Sequence, residues 1–149
     1  GPSAGPRLAA LVRSDPAASV RAAAATALLE RGAPGAEDDA TPALFDLDPT
    51  VRAAAAEGFG RLGERAVPRL RQLALAREAA DARGPIAALS LAGARGAEAL
   101  REIASTHPDE PTRRLAAFAL GHVPSHDRGL PIQPPDGATA ADAAGPEGR

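Results

Sequence analysis

VRAAAATALLERG, from Val20 to Gly32, returns nearly intact as VRAAAAEGFGRLG, from Val51 to Gly63. Both stretches open on Val-Arg, run through alanines and close on glycine, at a shift of about 31 residues, and a fixed period of that size marks a repeat architecture. The same shift lands on ARGPIAALSLAG, Ala82 to Gly93, and about 30 residues later stands TRRLAAFALGHV, Thr112 to Val123. Each of the four segments carries arginine in second place: Arg21, Arg52, Arg83 and Arg113.

A second, weaker pattern fills the gaps. PRLAAL (Pro6 to Leu11), PRLRQL (Pro68 to Leu73) and EALREI (Glu98 to Ile103) place apolar residues three apart. Around the middle one, Val67, Leu70, Leu73 and Ala74 form one apolar stripe at helical spacing and leave Arg69, Gln72 and Ala76 outward. The arginine segments are rich in alanine, which favours helix most and lets helices approach closely. Gly32, Gly63 and Gly93 stand where a left-handed helix end is wanted, while Asp15-Pro16, Asp48-Pro49 and Pro111 mark starts. Each unit is thus a pair of helices that cannot bury its faces alone, and stacked neighbours make one continuous core. The expectation is an all-α protein, a right-handed α-solenoid of about four helical hairpins over residues 5–123. Residues 124–149 are rich in Pro, Gly, Ala and Asp, and read as a disordered tail or linker, or with LPIQPP as an extended strap along the solenoid or a neighbouring chain.

Proline before an L-x-x-L helix, then an acidic residue, Val-Arg, an alanine run and a closing glycine resembles the HEAT family, in its short bacterial form of the phycobilisome-lyase type. The resemblance covers Gly5 to Val123. It implies a curved helical stack that binds other macromolecules, and it does not imply an enzyme. It also implies that Arg21, Arg52, Arg83 and Arg113 are rungs of a structural ladder, bracketed by acidic groups at the inter-helix turns. The acids preceding them in the sequence are Asp15, Asp48, Asp81 and Asp109. A half-buried guanidinium needs acceptors to offset its desolvation, and its planar fork can bond a carboxylate and carbonyls together.

The second unit breaks the frame, with about five extra residues between Gly32 and Leu44 and about five fewer between Leu47 and Val51. GAPGAEDDATPALFDLD is therefore expected to replace a full helix with an acidic loop and a short helix capped by Asp39 or Thr41, with Pro42 at its start. Glu37, Asp38, Asp39, Asp46 and Asp48 gather here, and the next unit offers Arg65, Arg69, Arg71 and Arg77. Such a mixed surface suits a protein partner, whereas nucleic acid asks for a continuous basic stripe and often aromatic platforms. Helix phase nominates Arg69, Arg71, Gln72, Arg101 and the Glu37, Asp38, Asp39 segment as partner contacts.

Chemistry finds little support in the composition. The chain has 149 residues, a formal net charge of -2, no Cys, Met, Trp or Tyr, and three Phe. It lacks a cysteine nucleophile, a serine elbow and a glycine-rich phosphate loop. In GHVPSHD, Pro124 stands between His122 and His126, which argues for a turn over a helical metal pair. A HEAT-like DNA glycosylase would want longer helices, several aromatics and strong positive charge. No metal, no cofactor and no catalysis are expected. No run of about eighteen apolar residues exists to cross a bilayer, and a cytoplasmic location is expected. The opening Gly1-Pro2 and the absence of Met read as a trimmed fragment. The functional expectation is a non-catalytic protein-binding or scaffolding module. The alternatives are an accessory subunit of a chromophore or cofactor lyase-like enzyme, and weak nucleic-acid binding through the arginine rows.

Overall fold

A computed structural model describes residues 4–123. The expected tail, with His126, Asp127 and LPIQPP, lies outside them. Among the described residues the α-helices are α1 (Ala4–Ser14), α2 (Ala18–Arg31), α3 (Ala36–Ala40), α4 (Pro49–Arg61), α5 (Val67–Leu75), α6 (Ala79–Ser90), α7 (Gly93–Thr106) and α8 (Glu110–Gly121), with 3-10 turns at Thr41–Phe45 and Gly63–Ala66. They form four hairpins, each a leading helix followed by the helix that bears the arginine. The arginine helices α2, α4, α6 and α8 pack in succession, and α1, α5 and α7 each cover the arginine helix that follows. The fold is an all-helical α-solenoid, as the repeat period implies.

Local chemistry sets the helix ends. Asp48 caps α4 by accepting from the Thr50 amide, with Pro49 in the first turn, and Asp109 caps α8 by accepting from Thr112. Each carboxylate satisfies an N–H that has no partner inside its helix. Gly32, Gly63 and Gly93 have φ of +64°, +67° and +84°, the left-handed conformation expected of them.

The core is built from small residues around a few large ones. Phe59, Leu44, Leu70, Ile86, Leu89, Leu100 and Ile103 are buried, and alanines fill the space between them. On α5, Val67, Leu70 and Ala74 are buried and Leu73 is half-buried, while Gln72 and Ala76 are exposed.

The second unit differs from expectation. Its acidic stretch is helical: Glu37, Asp38 and Asp39 form the first turn of α3, where carboxylates meet the positive end of the helix dipole. The expected short helix with Pro42 in its first turn is the 3-10 turn Thr41–Phe45, and neither Asp39 nor Thr41 caps it: Ala40 precedes it with no side-chain bond. Gly35 precedes α3 with φ +85° and no side-chain bond, and the Thr41 hydroxyl donates to the Glu37 carbonyl. Pro42 has no N–H to continue the α ladder, so the chain tightens into the 3-10 turn through Phe45. That turn lies against α6, where Gly84 meets the backbone of Leu44.

Candidate partner-binding surfaces

Three surfaces are candidates for a partner, beginning with the edge where leading helix turns into arginine helix. Arg21 reaches across to the next unit, donating from Nε to Asp46 Oδ2 at 2.8 Å and from Nη2 to Asp46 Oδ1 at 3.0 Å. Its Nη1 donates to the Asp15 carbonyl at 2.8 Å. Arg52 Nη1 donates to the Asp46 carbonyl at 2.7 Å, and Arg113 Nη1 to the His107 carbonyl at 2.6 Å. In all three cases the carbonyl belongs to the residue six before the arginine. The same turn residue uses its side chain to accept the amide two residues on: Asp15 from Ala17, Asp46 from Asp48, and His107, through Nδ1, from Asp109.

The bracketing acids expected from the sequence are therefore reassigned. The Asp15, Asp48 and Asp109 carboxylates hold turn or cap amides, and Asp81 is an exposed residue in the first turn of α6. Asp46 accepts the arginine fork. In the third turn the corresponding residue is Arg77, whose side chain has no acceptor to offer; it stacks on Phe45 with its guanidinium carbon 4.3 Å from the ring centroid. Arg83 is exposed and donates from Nε to the Ala80 carbonyl, inside its own helix.

Several carboxylates here sit below their ordinary range. The Arg21 fork lowers Asp46, Arg71 lowers Glu102, and the Thr50 and Thr112 hydroxyls and amides lower Asp48 and Asp109. A carboxylate with a folded pKa below its unfolded value binds fewer protons in the folded state. Its stabilisation is present above the unfolded value and is lost as pH falls through the folded one. Melting temperature is expected to hold from neutral pH to about 5 and to drop below about 4, with a shallower drop for Asp46→Asn. A wild-type curve that stays level down to about pH 2 would contradict these assignments.

The second surface is the outer face of the leading helices, where the sequence places the partner contacts. Arg69 lies 2.6 Å from Asp38 and 3.8 Å from Glu37, and Arg65 lies 3.3 Å from Glu37. Arg71 grips Glu102 with two bonds, at 2.7 and 2.5 Å. The acidic and basic segments thus face each other across the second and third units, and Arg71 spans the third and fourth. Gln72 and Arg101 are exposed, and Asp39 is half-buried away from these pairs. A cleft of about 350 Å³ lies between the Glu37–Asp38 turn and Arg65 and Arg69.

The third surface was not singled out by the sequence. Between α6 and α8 runs a groove of about 580 Å³ floored by Ala79, Ala80, Pro111 and Leu115. Phe118 walls it with 67% of its surface exposed, and Arg83 and Arg114 stand on its two sides. The repeat frame does not reveal it: Phe118 falls in register with Thr26, Glu57 and Ala88, of which Glu57 is exposed and Ala88 fully buried. Among the described residues, no cluster of three His, Cys, Asp or Glu is placed to hold a metal, and no helix is long and apolar enough to cross a membrane.

A family model described as HEAT repeats matches residues 5–92. It carries no phycobilisome-lyase subtype, so that finer likeness stays a resemblance. A search of curated proteins gives no match.

Proposed function

The chain belongs to the HEAT repeat family, and from that premise we propose that it is a non-catalytic module that binds a protein partner. HEAT repeats generally mediate protein–protein interaction. The observation that carries the reading is the division of labour among its side chains. Arg21–Asp46, Arg69–Asp38 and Arg71–Glu102 each join one unit to the next. The stack is thereby fixed in advance, while Phe118 and its groove are left open. A receptor ordered beforehand loses little entropy on binding, so contact energy is retained as affinity. The face with Gln72 and Arg101 can add polar contacts at the rim, beside the Glu37 and Asp38 pairs with Arg69 and the Arg71 pair with Glu102.

The test is capture from source lysate with the immobilised chain, washed at moderate salt after nuclease treatment and read by quantitative mass spectrometry. A discrete protein enriched over an unrelated α-solenoid supports the reading. No enrichment, or retention that disappears with nuclease, overturns it.

A further inference from the structure

We propose that the groove between α6 and α8 takes a partner segment that pairs an acidic residue with an apolar one. The inference rests on the reading of the chain as a protein-binding module and names the chemistry of its ligand.

Three observations meet at this groove. Phe118 is exposed although Phe59 is fully buried and Phe45 is packed against the core. The ring rests against His122, centroids 4.3 Å apart, and its exposed remainder beside an apolar floor is the type of anchor that carries interface energy, because it buries a large area at little conformational cost. Leu115 and Pro111 extend the apolar strip along α8, and Ala79 and Ala80 close it from α6.

The second observation is the position of Arg83. Its counterparts Arg21, Arg52 and Arg113 are spent on turn carbonyls six residues back, but Arg83 bonds Ala80 through Nε alone and lines the groove. The third unit has thus released its ladder arginine to the surface. Third, Arg114 lines the opposite side, and among the described residues neither arginine makes an ion pair. Asp81 and Glu110 lie on the same two helices but do not line the groove.

Two uncompensated guanidinium groups over an apolar floor select for charge and greasiness together. A carboxylate between Arg83 and Arg114 gains charge-assisted hydrogen bonds, and the neighbouring apolar side chain removes the Phe118 ring from water. A basic segment is repelled by the same pair, so the site discriminates as well as attracts.

The test uses the full chain, isotopically labelled, and three eight-residue peptides: acidic-apolar (alternating Glu and Leu), basic-apolar (alternating Lys and Leu) and acidic-polar (alternating Glu and Ser). The acidic-apolar peptide is expected to shift amide resonances along α6 and α8 and to bind most tightly. Phe118→Ala and the pair Arg83→Glu/Arg114→Glu should each weaken it at least about tenfold, because all three side chains are exposed anchors and not core. Equal binding of the basic-apolar peptide, or affinity untouched in both variants, overturns the proposal. So does contact in the free chain between the Phe118 ring and the methyls of Leu130 or Ile132, since the occupant would then be this chain's own Asp127 to Asp136 stretch. If lysate capture persists in Phe118→Ala while the peptides fail, the groove assignment falls and the module reading stands.

Discussion

Gly84→Ala is expected to melt roughly 10 °C below wild type, a loss of about 2–3 kcal/mol in a chain of this size. The substitution looks favourable in isolation, because alanine in a helix interior is better than glycine by about 1 kcal/mol. Tertiary packing reverses the sign. A Cβ on Gly84 would collide with the Leu44 carbonyl oxygen and sit 2.8 Å from its carbonyl carbon. Both are backbone atoms of the 3-10 turn, so relief requires α6 and that turn to separate. Gly58→Ala is the control: its Cβ would meet Leu29 Cδ1 at 2.6 Å, the tip of a side chain that can rotate away. Its expected change is within about 1 kcal/mol, the helix gain offsetting the local repacking. Thermal unfolding of the two variants decides the matter, and a Gly84→Ala protein as stable as wild type would mean that α6 and the turn are not in such close contact.

The repeat was legible because its signal is periodic. Val-Arg, the alanine run and the closing glycine recur in one frame, and a helical hairpin needs each of them for a separate physical reason. The second unit was harder to read. Glu37, Asp38 and Asp39 suggest a solvated loop by composition, yet at the start of a helix the same charges are favoured by its dipole. Pro42 does open a short helix, the 3-10 turn Thr41–Phe45, but that turn follows directly on α3 and not on a loop.

The ladder was half legible. The arginines are plain in the sequence, but the nearest acids, Asp15, Asp48, Asp81 and Asp109, are not the carboxylates that hold them; Asp15 serves Arg21 through its carbonyl alone. Two of these are spent on helix caps, which are short-range tasks that any acid before a helix tends to assume. Applying the 31-residue frame to the residue six before each arginine gives Asp15, Asp46, Arg77 and His107, and shows at once where a carboxylate is present and where it is replaced. The acidic-to-basic contrast on the leading helices was read correctly as charge but not as contact. Asp38 and Arg69, like Arg71 and Glu102, occupy equivalent positions one repeat apart, and stacking brings such positions side by side. Exposure of Phe118 depends on what the neighbouring helix covers, which no local pattern records.

Asp46→Ala should be the other large effect, costing about 2–3 kcal/mol and roughly 10 °C of melting temperature. One carboxylate, with 12% of its side chain exposed, accepts both arms of Arg21 and the Asp48 amide. Removing it strands a guanidinium that is itself 19% exposed, and a partly buried charge without its partner is worse than no charge at all. Asp38→Ala removes a carboxylate that is 67% exposed, where screening by water leaves little to lose, and should melt close to wild type. The most direct test of whether Arg21 is a rung between units is the thermal double-mutant cycle of Arg21→Ala and Asp46→Ala. If it is, the double variant melts little below the worse single variant, because each substitution has already broken the same bond. Losses that simply add would show that Arg21 and Asp46 act independently and that Arg21 does not tie its unit to the next.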